Sequence, residues 1–295
     1  MLLDFEPISL DRQIAYGKRF SACSQKASDY SFVNLWGWAE EYGLFWAWTD
    51  DLVWIKQTRP RLAYWAPVGA WEGIDWPACF RQYASDETLF VRVPENLLQC
   101  WKRNMEKRLA IEDARGHWDY LYSLTDLVEL KGNRLHKKRN LLSQFKKKYD
   151  FTYASFGKEM IELAKAMQEE WCTWRDCESS ESLSAENNAI LRILNNSQRL
   201  EGLSGGAIMV EDKMAAYTVA ETMSEDTLLI HFEKGDPAFK GVYQAINHMF
   251  LEHSTGNFKI VNREQDLDNE GLRKAKLSYQ PFDFVKKYQV HLLPA

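Results

Sequence analysis

The sequence predicts an α/β protein (α+β in the sense that its sheets are mixed) composed of two domains. Short apolar strands alternate with amphipathic helices along most of the chain, a pattern typical of helices packed on mixed sheets. The length of 295 residues exceeds what one modest hydrophobic core requires. Hydrophobic residues make up 45% and charged residues 27%, so the chain has the composition of a folded, soluble protein.

The predicted elements of the first half end near residue 124. Residues 44–56 are expected to form two strands around a Thr-Asp-Asp turn, and Pro94 opens a helix. The remaining elements are a strand at 61–67, helices at 76–83 and 95–108, and strands at 88–93 and 120–122. We place the domain boundary between residues 124 and 131, which gives an N-terminal domain of 1–128 and a C-terminal domain of 129–295.

The second half has a more regular order. A basic helix, a strand and two helices, the second with Ser184 as its expected cap, precede three strands joined by tight turns. A glycine-containing turn, a helix, a strand, a helix and a strand follow. The predicted ranges are 136–149, 151–156, 158–174, 184–195, 206–210, 214–221, 227–233, 241–253, 259–262, 270–279 and 282–292. This order is the layout of the acetyltransferase fold.

The turn at 235–243 is the expected phosphate contact. In the acetyltransferase layout this turn presents backbone N–H groups to a pyrophosphate, assisted by the positive end of the next helix. Gly241 permits close approach of the backbone, and Lys240 adds positive charge. An ordinary helix N-terminus is the alternative interpretation, because the superfamily's Arg/Gln-x-x-Gly-x-Gly/Ala loop is matched only loosely.

A basic run stands out on a chain whose formal net charge is −5. Between Lys131 and Lys148 there are eight Lys or Arg residues and no Asp or Glu. This run predicts a phosphate contact, either to the end of a tRNA or to a coenzyme. The alternative is a solvated helix face. The candidate donor-binding residues here are Lys137, Lys138, Arg139 and Asn140.

A polar segment follows the apolar strand at 259–262, where open α/β sheets place ligand contacts. Arg263 is expected to bind a carboxylate or a phosphate. Glu264 or Asp266 is expected to hold the ammonium of the donor or acceptor, with Asn262 beside them. A salt-bridged turn without a ligand is the alternative.

Two residues are candidates for proton transfer. Glu233 ends the third strand and directly precedes the phosphate turn, so its carboxylate is placed to accept a proton from an attacking amine. Tyr279 ends the last helix, where acetyltransferases often carry a tyrosine that protonates the leaving group. The alternatives are an ion pair of Glu233 with Lys234 or Arg263, and a core role for Tyr279.

Four separate blocks resemble one bacterial family in the expected order. The chain is similar to proteins related to the C-terminal domain of phosphatidylglycerol lysyltransferase, a domain also known as DUF2156. The resemblance is strongest from Asp119 onward. The blocks are Gly132-Asn-Arg-Leu-His-Lys-Lys-Arg-Asn140, His231-Phe-Glu-Lys234, Asn262-Arg-Glu-Gln-Asp-Leu267 and Gly271-Leu-Arg-Lys-Ala-Lys-Leu-Ser-Tyr-Gln-Pro281.

The resemblance implies two acetyltransferase-like (GNAT) folds in tandem. Enzymes of this kind move an aminoacyl group from tRNA to an amine or hydroxyl, with the donor in the second fold. Arg273 and Lys276, in the last block, become candidate substrate contacts. The named lysyltransferases carry a membrane-spanning segment, and no stretch here approaches the roughly 20 apolar residues that such a segment needs.

Cysteine usage and the N-terminal sequence favour the cytoplasm. The five cysteines are odd in number and lack the spacing of a disulfide framework. The first residues lack the basic and apolar regions of a signal peptide. We expect no metal, because Cys172 and Cys177 have the wrong spacing for a zinc knuckle, and no tightly bound cofactor. The oligomeric state is left open.

Two functions are consistent with these patterns. The first is an acyltransferase that uses acyl-coenzyme A or aminoacyl-tRNA as donor and a small molecule, peptide or lipid headgroup as acceptor. The second is a non-catalytic protein that binds tRNA or a partner on the same fold. For the enzyme, we expect Glu233, Asn262, Arg263 and Tyr279 to line one pocket between the domains, close to Gly241.

Overall fold

The computed structural model describes residues 3–294, which form two compact units. Unit 1 consists of the chain up to Asp119, together with Gln265–Asp268 and the segment from Val285 onward. Unit 2 consists of Tyr120–Glu264 and Asn269–Phe284. Each unit therefore contains chain segments that are distant in sequence.

The strands and helices alternate as the sequence predicts. Up to residue 123 they are β1 (Glu6–Pro7), α1 (Gln13–Ser21), α2 (Phe32–Tyr42), β2 (Leu44–Trp48), β3 (Leu52–Gln57), β4 (Ala63–Trp65), β5 (Val68–Gly69), α3 (Trp76–Tyr83), β6 (Leu89–Pro94), α4 (Glu95–Met105), β7 (Leu109–Asp113) and β8 (Asp119–Ser123). From residue 124 they are α5 (Leu124–Glu129), α6 (His136–Lys148), β9 (Phe151–Ser155), α7 (Lys158–Arg175), α8 (Glu181–Asn195), β10 (Leu203–Val210), β11 (Lys213–Thr222), β12 (Thr227–Gly235), α9 (Val242–His253), β13 (Ile260–Asn262), α10 (Glu270–Leu277), β14 (Asp283–Val285) and β15 (Lys287–Leu292).

The two sheets connect their strands in corresponding orders. The first sheet runs β1-β2-β3-β4-β6-β15-β7, with β5 paired to β3, and the second runs β9-β10-β11-β12-β13-β8-β14. Each contains a parallel pair, β4 with β6 in the first and β12 with β13 in the second. The prediction of two similar α+β domains with mixed sheets is confirmed, and both units have the acetyltransferase-like order.

The units differ from the predicted domains 1–128 and 129–295. The sixth strand of the first sheet is β15, from the end of the chain, which pairs with β6 and β7. The sixth strand of the second sheet is β8, which precedes the rest of that sheet in sequence and pairs with β13. A strand pattern reports burial and periodicity, not which sheet the strand joins, so the sequence does not reveal this exchange.

Helix ends follow local capping chemistry. Ser31 caps α2 through the backbone N–H of Asn34, and Gly43 ends that helix in the left-handed conformation. The cap of α8 is Ser180 rather than the predicted Ser184, because the Ser180 side chain accepts the N–H of Leu183. The helix thus begins one turn earlier than predicted.

Aromatic side chains fill the core of unit 1. Trp46, Trp54, Trp76 and Trp101 are fully buried, and the Phe80 and Trp101 ring centroids lie 5.1 Å apart. The early surplus of aromatic residues is therefore core packing, in which each large ring contributes about 2–3 kcal/mol of hydrophobic burial. In unit 2, α9 packs against the sheet through Val242, Ala245, Ile246 and Met249.

One disulfide was not predicted. Cys172 and Cys177 are bonded, at the end of α7, with Cα atoms 5.1 Å apart. The other three cysteines are free, and Cys23 and Cys100 are buried. Within residues 3–294, no helix is both long enough and apolar enough to span a membrane.

Candidate functional site

The site lies in unit 2, where β12 and β13 stop pairing. Their parallel register ends at Leu229 and Asn262, whereas β12 continues to Gly235. The pairing of β12 with β11 shifts between Ile230 and Phe232, which leaves His231 as the extra residue of a β-bulge. We call this region the β12–β13 opening. Polar side chains from β12 and from the segment after β13 fill it.

Glu233 and Arg263 form an ion pair across the opening. The Arg263 Nη2 donates to Glu233 Oε2, and the Asn247 Nδ2 of α9 donates to Glu233 Oε1 at 2.9 Å. Both oxygens of this carboxylate are therefore occupied. The structure thus contains the ion pair with Arg263 that was the alternative interpretation of Glu233. In this position the carboxylate orients the guanidinium.

The guanidinium of Arg263 also contacts two aromatic rings. Its Cζ lies 4.7 Å from the Tyr279 ring centroid and 5.7 Å from that of Tyr122. Burial opposes the charge of Arg263, but the Glu233 carboxylate outweighs it, and the pKa of Arg263 is raised. Arg263 is thus a fixed cation on an aromatic base, an arrangement suited to binding an oxyanion.

Tyr279 receives a second cation from the basic helix. The Nζ of Lys138 lies 4.1 Å from the Tyr279 ring centroid. Burial and the nearby Arg263 charge lower the pKa of Lys138 to about 8. Tyr279 is buried, which raises the pKa of its hydroxyl. Near neutral pH, Lys138 is therefore able to exchange its proton, and Tyr279 remains protonated.

A second pair occupies the opening beside the first. The Nδ1 of His231, at the bulge, lies 2.9 Å from Glu264 Oε1, and its Nε2 lies 3.6 Å from Glu221 Oε1. Burial lowers the pKa of His231, but the Glu264 hydrogen bond and the Glu221 charge outweigh it and raise the pKa. Asn262 Oδ1 accepts the backbone N–H of Glu264 at 2.8 Å. Asn262 thereby fixes the turn that presents Arg263 and Glu264.

The phosphate turn is largely satisfied by the protein itself. Asp236 Oδ1 accepts the backbone N–H of Ala238 at 2.9 Å, and the Tyr149 hydroxyl accepts that of Lys240 at 3.2 Å. Gly241 adopts φ +87°, and a Cβ there would lie 2.5 Å from the Leu141 carbonyl oxygen. The close approach of α6 therefore requires a glycine at this position. Two of the N–H groups expected to contact a pyrophosphate instead donate hydrogen bonds within the protein.

Comparison with known proteins identifies the family. Residues 20–291 match the family described as "Phosphatidylglycerol lysyltransferase, C-terminal". The chain belongs to this family.

The relatives of this lysyltransferase C-terminal family member extend the match. A conserved protein of unknown function from Bacteroides thetaiotaomicron is 30% identical, with 98% of this chain and 99% of that chain covered and a TM-score of 0.89. L-PGS from Bacillus licheniformis is 12% identical, with 98% and 93% covered and a TM-score of 0.64. FemX is 8% identical, with 99% and 98% covered and a TM-score of 0.59. The latter two likenesses show the fold alone.

A further relative is an uncharacterized protein of Mycoplasmoides gallisepticum. It is 26% identical over 178 residues, which are 59% of this chain and 56% of that protein. The chain therefore spans little more than half the length of this curated relative.

The basic helix of this family member contributes one residue to the site. Among the predicted donor contacts on α6, only Lys138 lies against the Tyr279 ring. Arg139 Nη1 donates to the carbonyl of Leu130 at 2.5 Å, so it caps the end of α5. Lys137 is exposed. The Asn140 side chain lies 3.2 Å from the His136 ring, and Lys240 is exposed.

The predicted substrate contacts separate into two groups. Lys276 Nζ donates to the backbone carbonyl of Arg263, and Arg273 is half-buried on the same helix, α10. Asp266 belongs instead to unit 1, where it is fully buried and lies 3.3 Å from Arg115. The salt bridge to Arg115 holds this carboxylate within unit 1.

Four residues of the site were not predicted: Asn247, Tyr122, His231 and Glu221. Asn247 and His231 carry a recognisable signal, because both are polar residues inside otherwise apolar elements. Tyr122 has no such signal. Its hydroxyl donates to the Lys276 carbonyl at 2.8 Å, and a strand tyrosine of this kind is indistinguishable in sequence from a core residue.

Proposed function

We propose that the protein transfers an aminoacyl group from aminoacyl-tRNA to an amine or hydroxyl acceptor. The observation that carries this proposal is the cluster of Arg263, Glu233, Tyr279 and Lys138 at the β12–β13 opening. It combines a fixed cation for an oxyanion with a lysine that titrates near neutral pH. Membership of the lysyltransferase C-terminal family supports the same class of reaction.

The phosphate turn favours tRNA over coenzyme A as the donor. A coenzyme pyrophosphate needs free backbone N–H groups at the start of the helix. Here the N–H groups of Ala238 and Lys240 are bonded within the protein, and the Asp236 carboxylate lies in the same turn. The exposed cations of α6 offer phosphate contacts that do not depend on that turn.

The chemistry assigns one role to each group. The acceptor amine or hydroxyl attacks the carbonyl carbon of the aminoacyl ester, and its proton passes to the neutral Lys138. The ester C–O bond breaks, the ribose oxygen leaves with a proton from the Tyr279 hydroxyl, and the proton taken up by Lys138 then returns to Tyr279. Arg263, oriented by Glu233, binds a carboxylate or phosphate of the substrate. Backbone N–H groups of β12 beyond Leu229 stabilise the oxyanion.

The role of Glu233 changes from the predicted one in this proposal. Both Glu233 oxygens already accept hydrogen bonds, one of them from the Arg263 guanidinium, so the carboxylate is engaged in holding Arg263. Glu233 therefore acts as a positioning residue for Arg263, and Lys138 is the base.

The second candidate function is a non-catalytic tRNA-binding protein. The internally bonded phosphate turn favours it, because that turn lacks the usual acyl-donor contact. The exposed part of α6 serves this function equally well. The two candidates differ in whether the site consumes a donor.

Donor consumption separates the candidates. We expect release of radiolabelled amino acid from charged tRNA when ethanolamine or glycerol is supplied as the acceptor, and no consumption of acetyl-coenzyme A. Arg263→Lys should lower kcat/KM by roughly 10²–10³-fold, because a planar, oriented donor is lost. Lys274→Gln, an exposed change on α10, is the matched control and should leave the rate unchanged.

The pH profile tests the base. The rate should rise with pH through about 8, where Lys138 loses its proton, and Lys138→Arg should remove this rise. Binding of charged tRNA without any turnover across a panel of amino acids would favour the binding protein instead.

A further inference from the structure

The first sheet has an arginine at the position that Arg263 occupies in the second. The parallel register of β4 and β6 ends at Trp65 and Val91, and Arg92 is the next residue of β6. The register of β12 and β13 ends at Leu229 and Asn262, and Arg263 follows. Arg92 therefore marks the corresponding opening of unit 1.

The surroundings of the two guanidinium groups match in kind. The Cζ of Arg92 lies 4.1 Å from the Trp65 ring centroid and 4.6 Å from that of Tyr42. Its Nε lies 3.1 Å from Asp29 Oδ1. Arg263 likewise contacts two rings and one carboxylate. Each opening thus holds a guanidinium close to two aromatic rings and one carboxylate.

Both arginines have an unused donor. Within the part of the chain that the structure describes, the Nη1 atoms of Arg92 and Arg263 are buried and have no hydrogen-bond partner. A buried donor of this kind costs about 1–3 kcal/mol unless an acceptor satisfies it. Arg92 is also held at φ +56°, a left-handed conformation that costs a non-glycine residue about 1 kcal/mol or more. Such unfavourable features are typical of binding sites.

The carboxylate beside Arg92 is shared. Asp29 also accepts a hydrogen bond from Lys287 Nζ, which donates to Asp119 Oδ1 at 2.6 Å as well. Burial and the Arg92 charge lower the pKa of the adjacent His117 to about 4, so this imidazole is neutral at pH 7. Arg92 therefore shares the Asp29 carboxylate with Lys287, and its Nη1 donor is what remains to bind an anion.

We propose that unit 1 contains a second oxyanion site, in which Arg92 binds a carboxylate or phosphate group against Trp65. The anion accepts hydrogen bonds from the guanidinium edge that carries Nη1. Tyr42 is half-buried, whereas Trp65 is buried, so the anion enters on the Tyr42 side. This site is independent of the transfer reaction proposed for unit 2, because it requires only the residues of unit 1.

Side-chain NMR of ¹⁵N-labelled arginine tests the site directly. Inorganic phosphate and acetate are titrated separately, at constant ionic strength with chloride as the reference anion, and the Nε–H resonances are assigned with Arg92→Lys and Arg263→Lys. We expect the Arg92 resonance to shift saturably with phosphate or acetate, both in the wild type and in Arg263→Lys. The anion that saturates at the lower concentration identifies the ligand class.

A second variant keeps the test valid if Arg92→Lys does not fold. Trp65→Phe retains Arg92 but reduces the stacking surface. It should lower the affinity for the anion whose binding saturates by roughly tenfold. The proposal is overturned if phosphate and acetate shift the Arg92 resonance only linearly, no more than chloride does, while the shift of the Arg263 resonance saturates. It is also overturned if Trp65→Phe leaves the affinity unchanged.

Discussion

The two openings occupy the same place in similar sheets but hold their charges differently. In unit 1, Lys287 and Asp119 are fully buried, and Asp29 is nearly so. In unit 2, Lys138 is only half-buried, and its pKa of about 8 lies close to physiological pH. One opening is therefore held by a buried ion-pair network, whereas the other contains a group that gains and loses a proton. We expect such a contrast between a binding site and a reaction site.

Removing the central lysine of unit 1 should have the largest effect. Lys287→Met leaves Asp29 and Asp119 buried without their shared cation, so the free energy of unfolding should fall by about 3–5 kcal/mol. Denaturant unfolding followed by far-UV circular dichroism measures the change. Lys138→Met, at the opening of unit 2, should cost about 1 kcal/mol or less, since that lysine is already close to neutrality.

Lys274→Met provides the surface control for this comparison. Its side chain is 80% exposed and pairs with Glu270 on the same helix, so the stability should change by no more than about 0.5 kcal/mol. Equal losses for Lys287→Met and Lys138→Met would contradict the distinction between the two openings.

The histidines of the two units should give opposite pH dependences. His117 has a folded pKa of about 4, below its unfolded value, so the protein loses stability as pH falls from about 6.5 towards 4. His231 has a raised folded pKa, so its contribution is present below about pH 6.5 and is lost as pH rises through the raised value. The effect of His117 should amount to about 3 kcal/mol, from the difference between its folded and unfolded pKa.

Single substitutions separate the acid side of the stability profile from the alkaline side. His117→Asn should flatten the loss of unfolding free energy on the acid side, and His231→Asn should flatten the loss on the alkaline side. Unfolding curves measured between pH 4 and pH 9 would show both. If either variant alters both sides equally, the histidines are not the source of the dependence.

The glycine of the phosphate turn should give a smaller effect than the loss of Lys287. Gly241→Ala combines a left-handed backbone with a clash against the Leu141 carbonyl, so it should cost about 1–3 kcal/mol. Gly132 also has a positive φ, but no atom lies within 4 Å of an added Cβ. Gly132→Ala should therefore cost about 1 kcal/mol from backbone strain alone. Equal losses of thermal stability would remove the packing explanation for Gly241.

The site of unit 2 was more predictable than that of unit 1. Arg263 follows one apolar strand and Glu233 ends another in the predicted pattern, where polar residues are conspicuous. Both side chains reach the opening. Arg92 lies inside the apolar strand Leu-Phe-Val-Arg-Val-Pro, where a single charge suggests only an exposed face. The rings that enclose it come from α2 and β4, and such contacts depend on the tertiary fold.

Lys138 illustrates a different limit of prediction. It belongs to a run of cations whose members are equivalent in sequence, and only packing against Tyr279 distinguishes it from Lys137. The element types of the fold were accessible because they depend on local periodicity. The exchange of β8 and β15 between the sheets was not, since it depends on long-range pairing.

The position of β15 constrains how the protein is made. Its partner strands in the first sheet are complete by Asp113, yet β15 begins at Lys287, after the whole of unit 2 has been translated. At about 5–20 residues per second, a nascent chain carries an unfinished first sheet for roughly ten to thirty seconds. During that interval the facing edges of β6 and β7 lack the strand that will pair with both, and such edges invite association with other chains. Chaperone dependence during synthesis should therefore be greatest for the half of the protein that is synthesised first.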